Sequence, residues 1–427
     1  MKIQLSHTQE LLTPRSGMIM CHSFVEHHQI GKLVDQYFPK PGSNRAYPHS
    51  DYVNALIFLC LDGASNLEDI NCLREDKAFM KAVQMKHCPS SDALGDWLRR
   101  IGKNNGEELA GMISRDLIRR VDPIDYTLDV DASIIESDKG DAEKSYKGIN
   151  GYQPLIGVLA ENNMVIHSEF RKGNCSPQKG LVPFIKECLT KSNNTIKYIR
   201  SDSAAYQKAV VQYAVKENLF YSITANQSEA IRKKIAEIPS EAWQRGINSD
   251  DLRADYEVAE IVFAFAGKRK ASRLVVKREK NSGQINAFDQ ESLSDYRYWA
   301  IITNLPSSEY STNKVVLVHQ MRGCMEKTIG EIKHNFNLDH MPCGQFEANA
   351  VYFTLGILAY NIIQMMKMNV CWKSFSKASM KTIRYRLLHT AGKLVHHGNR
   401  IKLKIASTIE SFSIIEQTYL HYLLSPS

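Results

Sequence analysis

His319, Arg322, Glu326 and Lys333 follow one another at intervals of three, four and seven residues. On a helix that turns about 100° per residue, they fall within roughly 60° of one another. Leu317, Met321, Met325, Ile329, Ile332 and Phe336 collect on the opposite face, so the stretch reads as one amphipathic helix. Its polar face carries a carboxylate fenced by cations. That pattern suits an acidic side chain that binds a metal ion while its neighbours hold an anionic backbone. It also suits the solvated face of an ordinary helix. Glu331 lies about 140° around the helix from Glu326, so only one of the two can face a shared metal.

Two upstream aspartates could complete such a site. Tyr126–Ser133 is a short run of strand formers containing Asp129 and Asp131, and Ile196–Ser203 is a second run ending at Asp202. In an open sheet with crossover helices, reactive groups gather at the carboxyl ends of strands. Two strand-end aspartates and a helix glutamate can converge on a pair of divalent cations. Metals about 3.5–4 Å apart clamp the attacking and leaving oxygens of a phosphodiester, which is why that chemistry needs several hard carboxylates. A strand-end Asp is also a common turn former or helix cap. Asp129 and Asp131 are two apart on a strand and share a face, so spacing does not choose between them.

The pattern resembles bacterial insertion-sequence transposases with a DDE catalytic domain, of the cut-and-paste branch in DDE domain group 1. That branch carries Tyr-x2-Arg-x3-Glu-x6-Lys on its glutamate helix, and this chain has His319, Arg322, Glu326 and Lys333 at the same intervals, with histidine in place of tyrosine. Imidazole can still donate to a phosphate. Ile301–Pro306 resembles the strand before the glutamate helix, and Ala359-Tyr360-Asn361 the apolar helix after it. The family's Asp-x-Ser/Thr matches Asp131-Ala132-Ser133, and its strand-Asp-Ser/Gly matches Asp202-Ser203. The resemblance thus implies Asp131, Asp202 and Glu326 as catalytic residues that hold two Mg²⁺ ions, with Mn²⁺ able to substitute. It implies that His319, Arg322 and Lys333 contact DNA. It covers residues 120 to 370 well and the amino-terminal third loosely.

Composition agrees. The 427 residues are 43% hydrophobic with a formal net charge of +8, which fits a globular protein of several domains and favours a polyanionic partner. No apolar run reaches the length of a membrane span, and the start lacks a signal-peptide core. Nine cysteines without a Cys-x2-Cys pair read as reduced thiols, and the expected location is the cytoplasm, on the chromosome. The absence of Walker, GxGxxG, GxSxG and HExxH motifs removes the main support for nucleotide, dinucleotide, serine-hydrolase and zincin readings.

The chain divides into five stretches, for an α/β fold with helical ends. Residues 1–122 read as a helical DNA-binding region. Tyr52–Leu61, capped by Ser50 or Asp51, a turn at Gly63–Asn66 and a helix from Leu67 are compatible with a helix-turn-helix, or with a plain bundle on the catalytic domain. Residues 123–225 alternate strands and helices, with a hairpin of Pro154–Ala160 and Met164–Phe170 turned at Glu161–Asn163. Three strands, helix, strand, helix, strand is the order of a ribonuclease-H-like fold, which alone does not decide function. Residues 226–298 read as a mainly β insertion in that core. Its basic turn of Lys268, Arg269 and Lys270 opens a segment with seven basic residues up to Lys280, suited to phosphates or to a charged strand edge. By resemblance Trp243 or Trp299 could stack on an unpaired base. Residues 299–370 complete the core with the glutamate helix and a long apolar helix, Phe346–Met368. Residues 371–427 are basic, and Arg400–Ile405 alternates like a strand with one cationic face.

The expected activity is therefore DNA transposition. The enzyme would cut at element ends and join them to target DNA, working on double-stranded terminal inverted repeats as a homodimer. By resemblance alone, excision passes through a hairpin intermediate. The rival expectations are a ribonuclease-H-like nuclease that cuts without joining, and a DNA-binding protein that has lost catalysis.

Overall fold

The computed structural model describes residues 3–41, 46–250, 252–265, 272–281, 295–398 and 400–425. After a two-residue strand, β1 (Leu12–Thr13), come seven helices: α1 (Ile19–His27), α2 (Ile30–Tyr37), α3 (His49–Asp62), α4 (Ile70–Glu75), α5 (Lys77–Ala82), α6 (Ser91–Gly102) and α7 (Gly106–Ile118). Strand β2 (Tyr126–Ala132) is followed by the short strands β3 (Ile135–Glu136), β4 (Glu143–Lys144) and β5 (Asn150–Tyr152). The hairpin β6 (Leu155–Leu159) and β7 (Met164–Glu169) leads to α8 (Leu181–Lys191), β8 (Ile196–Ser201), α9 (Lys208–Lys216), β9 (Phe220–Thr224) and α10 (Glu229–Ala236). Next come β10 (Gln244–Ile247), β11 (Arg253–Phe263), β12 (Ser272–Lys280) and β13 (Tyr296–Thr303). Then follow α11 (Thr312–Gln320), α12 (Gly323–Gly330), α13 (Phe346–Met368), α14 (Met380–Ile383), β14 (Ala391–His397), β15 (Arg400–Ala406) and α15 (Ile409–Leu424).

One nine-stranded sheet runs in the order β10-β11-β12-β13-β9-β8-β2-β6-β7. β2, β8 and β9 are parallel neighbours, β6 and β7 add antiparallel on one side, and β13 adds antiparallel on the other. The segment after β9 therefore extends the sheet outward rather than forming a separate one. Side chains alternate across it with the period of two that a strand imposes. Tyr198, Val258, Val275 and Ile301 pack with Val315 and Val316 of α11 on one face. Ile199, Ala259, Val276 and Ala300 point the other way, into the main core.

That main core is built around α13. The helix is long and apolar enough to cross a membrane by composition, but 89% of its most apolar window is buried within the fold. Its few polar residues have specific partners. Asn361 accepts from the amide of Val165 and donates to the Val165 carbonyl and to Ser114 Oγ, each at 2.9 Å. The edge strand β7 is thereby sealed by a side chain, which answers the hazard of an unpaired edge. Tyr360 donates to the Asn163 carbonyl at 2.8 Å and pins the same hairpin at its turn.

Helices α3, α6 and α7 pack against α13. α3 buries Tyr52, Val53 and every residue from Ala55 to Leu61, so it is a bundle helix with no face left for a DNA groove. It begins at His49 with Pro48 in the cap position, and neither Ser50 nor Asp51 serves as cap. Its carboxyl end is capped by the Arg384 guanidinium, which donates to the Leu61 and Cys60 carbonyls at 2.8 and 2.9 Å. Arg384 is thus a structural cation. β15, by contrast, is an outer strand of the small sheet β1-β14-β15, with Arg400, Lys402 and Lys404 exposed.

Candidate active site

β2 and β8 lie side by side in parallel, with Val130 opposite Ser201, so Asp131 and Asp202 emerge next to each other at the carboxyl ends of the two strands. Asp202 leaves its strand by turning into a short helical turn, and its carboxylate accepts from the Ala204 amide at 2.9 Å. Asp131 accepts from the Ala132 amide at 2.8 Å. Burial pushes the Asp131 carboxyl up to about 6, with Asp202 adding to the shift, Arg322 opposing it and Glu326 contributing last. Two like charges held together at strand ends are relieved by a cation.

Asp129 points to the same side but is not free to bind a ligand. Arg200 on β8 grips both its oxygens, at 2.7 and 2.6 Å, and the pair is buried. Packing distinguishes the two aspartates: Asp129 is neutralised inside by Arg200, while the Asp131 carboxylate is partly exposed.

The stretch from His319 to Lys333 is not one continuous helix. α11 ends at Gln320 and α12 begins at Gly323. Between them the amides of Arg322, Cys324 and Met325 bond three residues back, at 3.0, 3.1 and 2.8 Å, which tightens the turn. Gly323, a weak helix former, sits in that turn. The kink changes the phase assumed from periodicity. Met321, expected on the apolar face, is 59% exposed, and His319, expected on the polar face, is buried. The imidazole is flanked by Ser222 Oγ and Thr224 Oγ1 of β9, each at 2.9 Å. Burial, with Arg322 adding to it, pushes His319 down to about 4, so the ring is neutral near pH 7. In this position the ring joins α11 to the sheet.

Arg322 and Glu326 remain at the surface above the aspartates. Arg322 Nη1 lies 3.4 Å from Asp131 Oδ2, and its Nη2 lies 3.7 Å from Glu326 Oε1. Glu331 is elsewhere engaged, accepting from the Met380 amide and, at 2.6 Å, from Asn335 Nδ2. Lys333 sits on a π-helical turn, Glu331–Asn335, and donates to the Ile134 carbonyl at 2.7 Å, so it holds the segment just after Asp131. Burial lowers its ammonium below the usual range. Among the described residues, no three of His, Cys, Asp and Glu stand close enough together to hold a metal ion. Asp131 and Asp202 are adjacent, Glu326 is near, and Arg322 stands between Asp131 and Glu326.

Asp202 also lines an open cleft of about 550 Å³ with Lys144, Tyr146, Cys175 and Gln178. The walls come from the β4–β5 turn and the loop before α8, neither of which carries a sequence pattern that points to a site. Tyr146 is largely exposed there, with the Lys147 ammonium 5.7 Å from its ring centre. Trp243 and Trp299 are both half-buried, Trp243 under Arg278 at 3.9 Å and Trp299 beside Lys277 at 5.2 Å. Lys268, Arg269 and Lys270 lie outside the described residues.

The family model described as "Transposase DDE domain group 1" matches residues 1–423. No curated protein matches the chain. Among solved structures, the chain is similar to a piggyBac transposase synaptic complex with hairpin DNA, at 9% identity and a TM-score of 0.49. That match covers 97% of this chain and 83% of the other.

Proposed function

The chain belongs to the DDE domain group 1 transposases, and from that premise we propose that it cuts DNA at the ends of its own element and joins those ends to a target. The observation that carries this reading is the emergence of Asp131 and Asp202 side by side from adjacent parallel strands, beneath Arg322 and Glu326. Asp131, Asp202 and Glu326 are the proposed catalytic residues. In support of a ribonuclease-H-like core, the strands β7-β6-β2-β8-β9 follow the order in which that fold is wound. Our division of the chain assigns residues 123–225 and 299–370 to this core and 226–298 to its β insertion. It assigns 1–122 to a helical DNA-binding region and 371–427 to a basic carboxyl-terminal region. We further read the working form as a homodimer on two element ends, acting on the chromosome in the cytoplasm.

DDE transposase domains generally use divalent metal ions, and the donor chemistry here fits them: three hard carboxylates, two of them adjacent and mutually repelling. Asp131 and Asp202 would hold the ions with Glu326, once Arg322 no longer separates that glutamate from Asp131. Two bound Mg²⁺, or Mn²⁺ in their place, would supply an activated water, an activated 3′ hydroxyl and charge neutralisation at phosphorus. The residues contribute mostly by positioning. Arg322, planar and two-pronged, is suited to phosphate oxygens beside the scissile bond. Lys333 holds the backbone at Ile134 and keeps two further N–H donors for a phosphate.

The test is a cleavage and strand-transfer assay on duplexes taken from the DNA flanking the gene, with Asp131→Asn, Asp202→Asn and Glu326→Gln compared to wild type. Each variant should bind DNA and neither cut nor join. Cutting by wild type without any joined product would instead make the protein a nuclease.

A further inference from the structure

Arg322 is placed where a cation, rather than a cation-binding side chain, belongs. Its guanidinium lies 3.4 Å from Asp131 and 3.7 Å from Glu326, and so bridges two of the three carboxylates proposed as metal ligands. Both distances exceed the roughly 2.7–2.9 Å of a fully formed charge-assisted hydrogen bond. The guanidinium is near enough to neutralise both groups and is not locked to either. Its backbone belongs to the tightened turn between α11 and α12. At neighbouring Gly323 nothing lies within 4 Å of the position a Cβ would take, so the turn borders open space. Glu326 is about two-thirds exposed and Arg322 about one-fifth exposed, so the guanidinium is reachable from solvent on the side of Glu326. Arg200, by contrast, is bound in two-pronged fashion and buried.

We propose that Arg322 is a built-in counter-ion that keeps the carboxylate set closed to divalent cations until a substrate phosphate draws its guanidinium away. This rests on the reading that Asp131, Asp202 and Glu326 hold the metals. The physical argument is competition for the same charge. While the guanidinium stands between Asp131 and Glu326, an incoming metal must displace it and forgo its favourable contacts. A phosphodiester offers that guanidinium a better partner, two oxygens in the spacing its fork matches. Metal and DNA binding then favour one another, and such coupling is reciprocal by linkage. The cost to the free protein is weak metal binding; the gain is that hydrolytic chemistry is assembled only with DNA in place.

The probe is Mn²⁺ alone, titrated into the full chain without DNA and followed by the electron paramagnetic resonance signal of the free ion. Arg322→Gln should bind Mn²⁺ at least tenfold more tightly than wild type. Arg322→Lys, which keeps the charge, should stay within about threefold of wild type, a distinction that a purely structural role for Arg322 would not produce. The double variant Asp131→Asn/Arg322→Gln should lose the gain. If wild type and Arg322→Gln bind Mn²⁺ equally well and Asp131→Asn abolishes binding in both, the metal site stands and the counter-ion role is overturned. If binding in every variant is indifferent to Asp131→Asn, the metal reading fails and this proposal with it. Melting temperatures of all variants show that each is folded.

Discussion

Asp129 and Arg200 face each other across the parallel strands β2 and β8, and the guanidinium takes both carboxylate oxygens, at 2.7 and 2.6 Å. Arg200 also donates to the Val318 carbonyl at 3.0 Å, so one buried pair ties two strands to α11. Removing one partner of a buried pair leaves the other charge uncompensated, which costs about 3–5 kcal/mol. Asp129→Asn should therefore lower the midpoint of denaturant unfolding sharply while the folded fraction still cuts DNA. Asp131→Asn should do the reverse, unfolding near the wild-type midpoint and cutting nothing. The opposite ranking would move the first catalytic aspartate to position 129.

Glu326 and Glu331 separate in the same way. Glu326 is mostly exposed and touches only Arg322 among the described ion pairs, so Glu326→Gln should fold normally and bind element ends. It should cut with neither Mg²⁺ nor Mn²⁺. Glu331 holds the Met380 amide and Asn335, and so joins the π-helical turn to α14. Glu331→Gln weakens charge-assisted bonds and should cost roughly 1–2 kcal/mol of stability. Its cleavage rate should stay within about tenfold of wild type, or about 1.4 kcal/mol in barrier. Normal cleavage by Glu326→Gln would show that the glutamate is misassigned.

The strands that carry Asp131 and Asp202 were legible because short runs of strand formers end at a polar break. β8 lies where the sequence places it, and the β6–β7 hairpin turns at Asn163 in the left-handed conformation that asparagine tolerates. The helix carrying Glu326 was legible in composition but not in phase. Periodicity treats 317–336 as one rigid helix, and the tightened turn at Met321–Arg322 is a local departure that no average period contains. His319 was misplaced for that reason, and its partners Ser222 and Thr224 are about a hundred residues away in sequence. The burial of α3 was likewise hidden, because α13 covers one side of it and α2 another, tertiary contacts with no local signature. The cleft beside Asp202 has no motif at all, since its walls are loops.

His319 makes the protein sensitive to acid in a stated window. Its ordinary value of 6.5 falls to about 4 on folding, so between those pH values the unfolded chain binds more protons at this position than the folded one. Stability contributed here is fully present above pH 6.5 and is lost as pH falls toward 4. The shift corresponds to a loss on the order of 3 kcal/mol, since one unit is about 1.4 kcal/mol. Glutamine can bond to the Ser222 and Thr224 hydroxyls without titrating. His319→Gln should therefore lose less stability than wild type between pH 6.5 and 4, measured as urea midpoints at each pH. Parallel pH profiles for the two proteins would show that the ring is not held neutral.

Salt dependence separates two cationic segments of the chain. DNA binding that neutralises phosphates releases counterions, and the slope of log affinity against log salt falls by about 0.9 per phosphate contact. Lys402 and Lys404 are exposed on an outer strand, whereas Lys268, Arg269 and Lys270 lie between β11 and β12. Replacing the latter three together by glutamine should flatten the slope by roughly two to three units if each meets a phosphate. It should leave the urea midpoint of the free protein near wild type. Lys402→Gln with Lys404→Gln, measured on the same duplex, reports the carboxyl-terminal strand independently. A slope unchanged by the triple substitution would remove residues 268–270 from the DNA interface, and one unchanged by the double substitution would do the same for β15.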